Sequence, residues 1–112
     1  MSESYYNNRD LAKFPEIGAF GGSEQAKKFF EYYGEVFKEG ALSAREKSLI
    51  ALAVSHAVQC PYCIDAYTAD TIKHGISENQ MMEAVHVAAA IRGGASLVHS
   101  VQMVNKAKKI SM

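Results

Sequence analysis

The chain has 112 residues, 48% of them apolar, with twelve basic residues balanced by twelve acidic ones. That length fits one domain, and so small a domain buries a reduced share of its chain, which makes oligomerisation a common supplement. No apolar run approaches the roughly 20 residues of a membrane span, and the neutral balance argues against nucleic acid as a partner, since such binding rests on concentrated positive charge.

Met1 to Asp10 is polar and lacks the apolar stretch of an export signal, which predicts a cytoplasmic protein. Residues 1–22 read as an N-terminal arm. Pro15 and the glycines Gly18, Gly21 and Gly22 make it extended or looped, with one short helical turn around Asp10 to Phe14. Residues 23–112 follow as the helical domain.

Ser23 suits the cap of a first helix, which carries Phe29, Phe30, Tyr33, Val36 and Phe37 at helical spacing and ends at Gly40. Ser43 and Glu46 form a capping-box pattern that opens a second helix through Leu49, Ile50, Leu52, Ala53 and Val54. It is apolar over most of its girth and therefore central. Pro61 suits the first position of a third helix and Gly75 its end. Ser77 and Gln80 form a second capping box, before a fourth helix through Met81, Met82, Ala84, Val85, Ala88 and Ile91. Gly93-Gly94 predicts an interruption, followed by a fifth helix through Leu97, Val98, Val101 and Val104. Lys106, Lys108 and Lys109 read as a solvated tail. No segment alternates like a strand, so the fold class is all-α: a single-domain bundle of about five helices.

The only two cysteines form one motif, Cys60-Pro61-Tyr62-Cys63, where the third helix begins. One helical turn brings such thiols within reach of each other. The pair can cycle between dithiol and disulfide, bind a metal or metalloid, or serve a structural role. With no other cysteine and a reducing compartment, it is not a disulfide framework. Unsatisfied amides and the helix dipole favour an anion at the first turn, so a thiol there is acidified. On this local argument Cys60 is the more acidic thiol and Cys63 its partner.

The run Ala44-Arg45-Glu46-Lys47, Leu52-Ala53-Val54, Cys60-Pro61-Tyr62-Cys63-Ile64-Asp65-Ala66-Tyr67-Thr68 and Ala88-Ala89-Ala90-Ile91-Arg92-Gly93-Gly94-Ala95 resembles the carboxymuconolactone decarboxylase-like superfamily, and within it the alkylhydroperoxidase-D branch. With Tyr32-Tyr33-Gly34 and Val85-His86-Val87 included, it is also similar to a peroxidase-like subgroup associated with arsenosugar biosynthesis. The resemblance implies an all-helical protein that assembles into trimers or hexamers. It implies a C-x-x-C that reduces a peroxide or disulfide substrate and is itself reduced by an external dithiol or thiol protein, with no cofactor and no metal. It assigns attack to Cys63 and resolution to Cys60, the reverse of the dipole argument.

The branch also carries a proton relay: a glutamate twelve residues before the first cysteine and a histidine four after the second. Here those positions hold Ser48 and Tyr67. Neither moves protons readily at neutral pH, since tyrosine titrates near ~10. Tyr67 can still donate a hydrogen bond to a thiolate or a leaving hydroxide. Glu46 lies about 200° around the helix from Ser48 and is explained by capping. His56, four residues before Cys60, shares its face if the helix continues to the motif, and is the other candidate proton carrier. His86, within an apolar helix, reads as a buried structural histidine. His74 reads as a helix-end residue.

Three functions compete on this evidence. The leading one is a thiol oxidoreductase, either peroxidase-like or disulfide-reductase-like, using Cys63, Cys60, His56 and Tyr67. The alternative is a dithiol module that binds a soft metal or arsenic(III), or docks a partner in arsenic metabolism. Zinc favours four ligands, and Cys60, Cys63 and His56 supply three. Decarboxylation, for which the superfamily is named, makes no use of the cysteine pair and ranks last.

Overall fold

Side-chain caps decide where the helices begin. Ser43 Oγ accepts from the Glu46 amide at 3.0 Å while the Glu46 carboxylate accepts from the Ser43 amide at 2.9 Å. Ser77 and Gln80 repeat the exchange at 3.2 and 3.0 Å. Each box satisfies two amides that the helix itself leaves open. In the computed structural model, which describes residues 5–111, an N-terminal 3-10 helix (Asn8–Phe20) precedes five α-helices: α1 (Ser23–Val36), α2 (Ala44–Ala57), α3 (Pro61–Lys73), α4 (Glu78–Leu97) and α5 (Ser100–Ser111). No strand occurs among the described residues, and the fold is all-α as expected. Pro61 opens α3, and Gly75 closes it in the left-handed conformation at φ 72°.

Four boundaries differ from the sequence expectation. The segment before Gly21 is a 3-10 helix rather than an extended arm. Asn7 Oδ1 caps it by accepting from the Arg9 amide at 3.0 Å, and Phe14 anchors it edge-on against Phe30, ring centroids 4.9 Å apart. Gly22, left-handed at φ 62°, rather than Ser23, holds the cap position of α1 and makes no side-chain cap. That helix ends at Val36, short of Gly40. Lys47 reaches over from α2 to donate to the carbonyls of Val36, at 2.7 Å, and Lys38, satisfying oxygens a further turn would have used. Finally, α4 runs straight through Gly93-Gly94, and the break falls at Val98–His99. A glycine costs a helix about 1 kcal/mol relative to alanine, a penalty the continuing hydrogen bonds absorb; the Val98 amide still reaches the Gly94 carbonyl at 2.9 Å.

The core is narrow. α2 is central, packed between α3 and α4, and it buries Ser48, Leu52 and Ser55 along one face. Thr71 of α3, Ile76 after it and Ala88 of α4 complete the buried set among the described residues. Met81, Ala84 and Val85 of α4 are half-buried, and the remainder of α4 and all of α5 expose their apolar side chains, including Val87, Ile91, Val101, Met103 and Ile110. The radius of gyration is 19.2 Å, against about 13 Å for a compact chain of this length. His86, expected to be buried, is exposed, because only one side of α4 faces α2.

Candidate active site

The turn from α2 into α3 builds the dithiol. α2 stops at Ala57, and Gln59 takes a left-handed conformation at φ 55°. The chain folds back so that the Cys60 amide donates to the Ser55 carbonyl at 3.1 Å. Cys60 then occupies the N-cap of α3, with Cys63 one turn on. The two are paired as a disulfide, their Cα atoms 5.2 Å apart. The Cys63 amide donates to Cys60 Sγ at 3.2 Å. A sulfur takes the role that a serine oxygen plays at α2 and α4, and the helix end favours negative charge on it.

The two sulfurs differ in access. Cys63 borders three apolar cavities. One, of about 390 Å³, lies against α1 and α2 and includes Phe37, Leu42, Ile50 and Tyr67. The others, of about 510 and 460 Å³, are roofed by Leu11 and Phe14 of the 3-10 helix. Cys60 borders the 510 Å³ cavity and neither of the other two. The N-terminal segment thus forms one wall of the space in front of the dithiol. Tyr62 faces it too, its ring edge-on to Tyr6 at 5.8 Å.

Tyr67, one turn beyond Cys63, lines two of those cavities. Its ring stacks on Phe37, centroids 5.4 Å apart and planes 19° from parallel, and its hydroxyl hydrogen-bonds to that of Tyr33 on α1. Burial, then the Tyr33 hydrogen bond and the negative charge of Asp70, push its pKa far above the usual phenol value. Tyr67 therefore keeps its proton throughout the physiological range. Behind it a smaller cavity of about 350 Å³ is lined by Tyr33, Phe37, Tyr67 and Asp70. Asp70 Oδ2 accepts from Ser48 Oγ at 2.6 Å and lies 3.6 Å from His74 Nε2. So Ser48, at the position of the branch's glutamate, binds a carboxylate supplied by the neighbouring helix.

The other expected residues are placed as follows. His56 Nδ1 lies 2.9 Å from the Leu52 carbonyl. Because α2 ends before Cys60, the two do not share a helix face, and His56 lines none of the three cavities that reach Cys63. Glu46 is engaged in its capping box, and the hydrogen bonds from Ser43 hold its carboxyl below the usual range. His74 caps the end of α3. Among the described residues no three His, Cys, Asp or Glu side chains converge as a metal site, so Cys60, Cys63 and His56 are not gathered into a ligand set. Sequence reasoning missed Tyr33, Phe37 and Asp70. Asp70 carries a signal, lying three residues past Tyr67 and seven past Cys63 on one face of α3. Tyr33 stands in the Tyr32-Tyr33-Gly34 run of the resemblance, but nothing there announces its contact with Tyr67, since α1 meets α3 only through tertiary packing.

A family model described as the carboxymuconolactone decarboxylase family matches residues 24–106. An uncharacterised protein of the cox locus of Paracoccus denitrificans is 46% identical over 65 residues, which are 58% of this chain and 59% of that protein. A crystal structure from Methanobacterium thermoautotrophicum superposes with a TM-score of 0.69 at 35% identity, covering 73% of this chain and 92% of that one. The apo crystal structure of a carboxymuconolactone decarboxylase family protein from Legionella pneumophila gives 0.63 at 28% identity, covering 93% and 89%. With most of its helical region matched and its cysteine pair at the head of α3, the chain belongs to the carboxymuconolactone decarboxylase family.

Proposed function

We propose that this protein is a thiol-dependent oxidoreductase of the alkylhydroperoxidase-D type, acting in the cytoplasm through the Cys60–Cys63 pair. The observation that carries the reading is the unequal setting of the two sulfurs. Cys63 borders three apolar cavities, while Cys60 borders one of them, holds the helix N-cap and accepts an amide hydrogen bond. The sulfur that more of the cavities reach is the one a substrate meets. The capped sulfur is the one best able to leave or wait as a thiolate, because a more stable thiolate leaves faster in exchange.

In the oxidative half, Cys63 thiolate attacks the outer oxygen of an organic hydroperoxide. A sulfur–oxygen bond forms and the oxygen–oxygen bond breaks. The Tyr67 phenol, protonated and lining the same cavities, donates a proton to the departing oxygen. Cys60 then displaces water from the Cys63 sulfenic acid and closes the disulfide. In the reductive half, a thiolate of an external dithiol attacks Cys63 and Cys60 departs into its amide hydrogen bond; the donor's second thiol then displaces Cys63 as thiolate and the donor leaves as its own disulfide. The apolar walls suit a substrate with a hydrocarbon body. The exposed apolar faces of α4 and α5, and Gly93 and Gly94 with open space where a side chain would stand, support a homo-oligomer, trimer or hexamer.

Purified protein mixed with an organic hydroperoxide and reduced lipoamide tests this, with Cys60→Ser and Cys63→Ser run in parallel. Turnover that needs both cysteines is expected. Equal activity in all three proteins would sink the proposal. No turnover together with stoichiometric arsenite or zinc binding that protects the thiols would instead favour the binding module.

A further inference from the structure

Tyr67 borders more than one space. It lines two apolar cavities that reach Cys63 and also the smaller cavity beside Asp70, and Tyr33 borders all three. Its hydroxyl has one hydrogen to give. If Tyr67 donates that hydrogen to Tyr33, nothing is left for chemistry at the sulfur. If Tyr33 donates, the Tyr67 proton is free to point toward Cys63. A single contact between two phenols therefore decides whether Tyr67 is a donor at all.

We propose that Tyr33 is a positioning residue: its hydroxyl donates to Tyr67, orients the Tyr67 proton toward Cys63, and replaces that proton from the Asp70 side after each turnover. This rests on the thiol oxidoreductase reading above. Three features support the direction. Tyr33 is the more exposed of the two phenols and lies at the solvent side of the pair, so water can reprotonate it. Asp70, held by Ser48 at 2.6 Å, places negative charge beside Tyr67 and disfavours a lasting phenolate there. The ring of Tyr33 is fixed independently, between Phe29 at 5.9 Å and Phe37 at 5.1 Å, so its hydroxyl is held ready.

The step balances. Cys63 sulfur gives two electrons to the hydroperoxide and becomes a sulfenic acid. The alkoxide released takes the Tyr67 proton. Tyr67 takes that of Tyr33, and Tyr33 takes one from water, which returns the proton that Cys63 lost on becoming a thiolate. An alkoxide is a far stronger base than a phenolate, so a phenol of even strongly raised pKa gives up its proton to it.

Tyr33→Phe keeps the ring contacts and removes only the hydroxyl. The proteins compared are the wild type, Tyr33→Phe, Tyr67→Phe and the double variant. The expected result is a loss of about tenfold in kcat for organic hydroperoxide in Tyr33→Phe, within the range for general acid catalysis, with KM nearly unchanged. Because Tyr33 acts through Tyr67, its removal should cost nothing more in the Tyr67→Phe background. A wild-type kcat in Tyr33→Phe, or an equal further loss in the double variant, overturns the proposal. A second measurement needs no turnover: the pH midpoint for alkylation of Cys63 by iodoacetamide in reduced Cys60→Ser protein. A hydroxyl aimed at the sulfur stabilises its thiolate, so adding Tyr33→Phe should raise the midpoint by roughly half a unit. An unchanged midpoint also overturns it. Absent peroxide turnover in the wild type with a midpoint that does respond would fail the oxidoreductase reading and leave the phenol pair standing.

Discussion

The sharpest prediction concerns the acidity of the two thiols in the reduced protein. Cys60 Sγ lies 3.2 Å from the Cys63 amide and occupies the N-cap of α3. A hydrogen bond to a charged group contributes about 1.5–3 kcal/mol, and the helix end about 0.3–1 kcal/mol more. Cys60 is only half-buried, so water competes for the same sulfur and the lower end of each range applies, or about 2 kcal/mol together. At ~1.4 kcal/mol per tenfold, Cys60 should hold at least ten times the thiolate fraction of an unperturbed cysteine at neutral pH. The assay is thiolate absorbance near ~240 nm across pH, on Cys63→Ser to isolate Cys60 and on Cys60→Ser to isolate Cys63. Cys60 should titrate well below the ordinary thiol value of ~8.5 and below Cys63. A Cys60 that titrates at or above Cys63 would refute the argument. It would show that the capping amide does not act on the free thiolate, and the division of labour between a capped leaving sulfur and a cavity-facing attacking one would fall with it.

Ser48→Ala removes the hydroxyl that Asp70 accepts at 2.6 Å in a fully buried position; water can replace it on the Asp70 side, so a loss of about 1–2 kcal/mol is expected in denaturant unfolding, and no loss would mean the contact is incidental. Light scattering after gel filtration should give the mass of a trimer or hexamer, and a charged substitution such as Ile91→Glu should lower it; a monomeric wild type would remove the oligomer proposal. The raised pKa of Tyr67 means that the native state holds this proton more tightly than the unfolded chain. Its contribution is therefore complete below the unfolded phenol value of ~10 and fades as pH rises above it. Tyr67→Phe should lose less stability than wild type between pH ~9 and ~11 in urea titrations, and parallel curves would contradict this.

The local signals read well because capping is local. Ser43, Ser77, Pro61 and Gly75 each act within one turn of chain, so their residue types alone announce the helix ends. One boundary is set by a distant group. Lys47 ends α1 early by taking its carbonyls, and no property of residues 36–40 foretells that. Gly93-Gly94 predicts a break because glycine weakens helices, yet the weakness is small beside the hydrogen bonds that continue past it. His56 was aligned with Cys60 on the premise of an unbroken helix, and the left-handed Gln59 removes that premise.

The sequence by itself determined the all-α class, the family, and the place of the dithiol at the head of a helix, because each depends on neighbours a few residues apart. Only the tertiary structure decided what surrounds the dithiol. Tyr33 meets Tyr67 across 34 residues and Ser48 meets Asp70 across 22. It also decided that three cavities reach Cys63 and one of them Cys60, since their walls come from the 3-10 helix, α1 and α2 together. Contacts of that range follow from how helix faces bury their apolar side chains against one another, and that choice is made by the whole chain rather than by any motif within it.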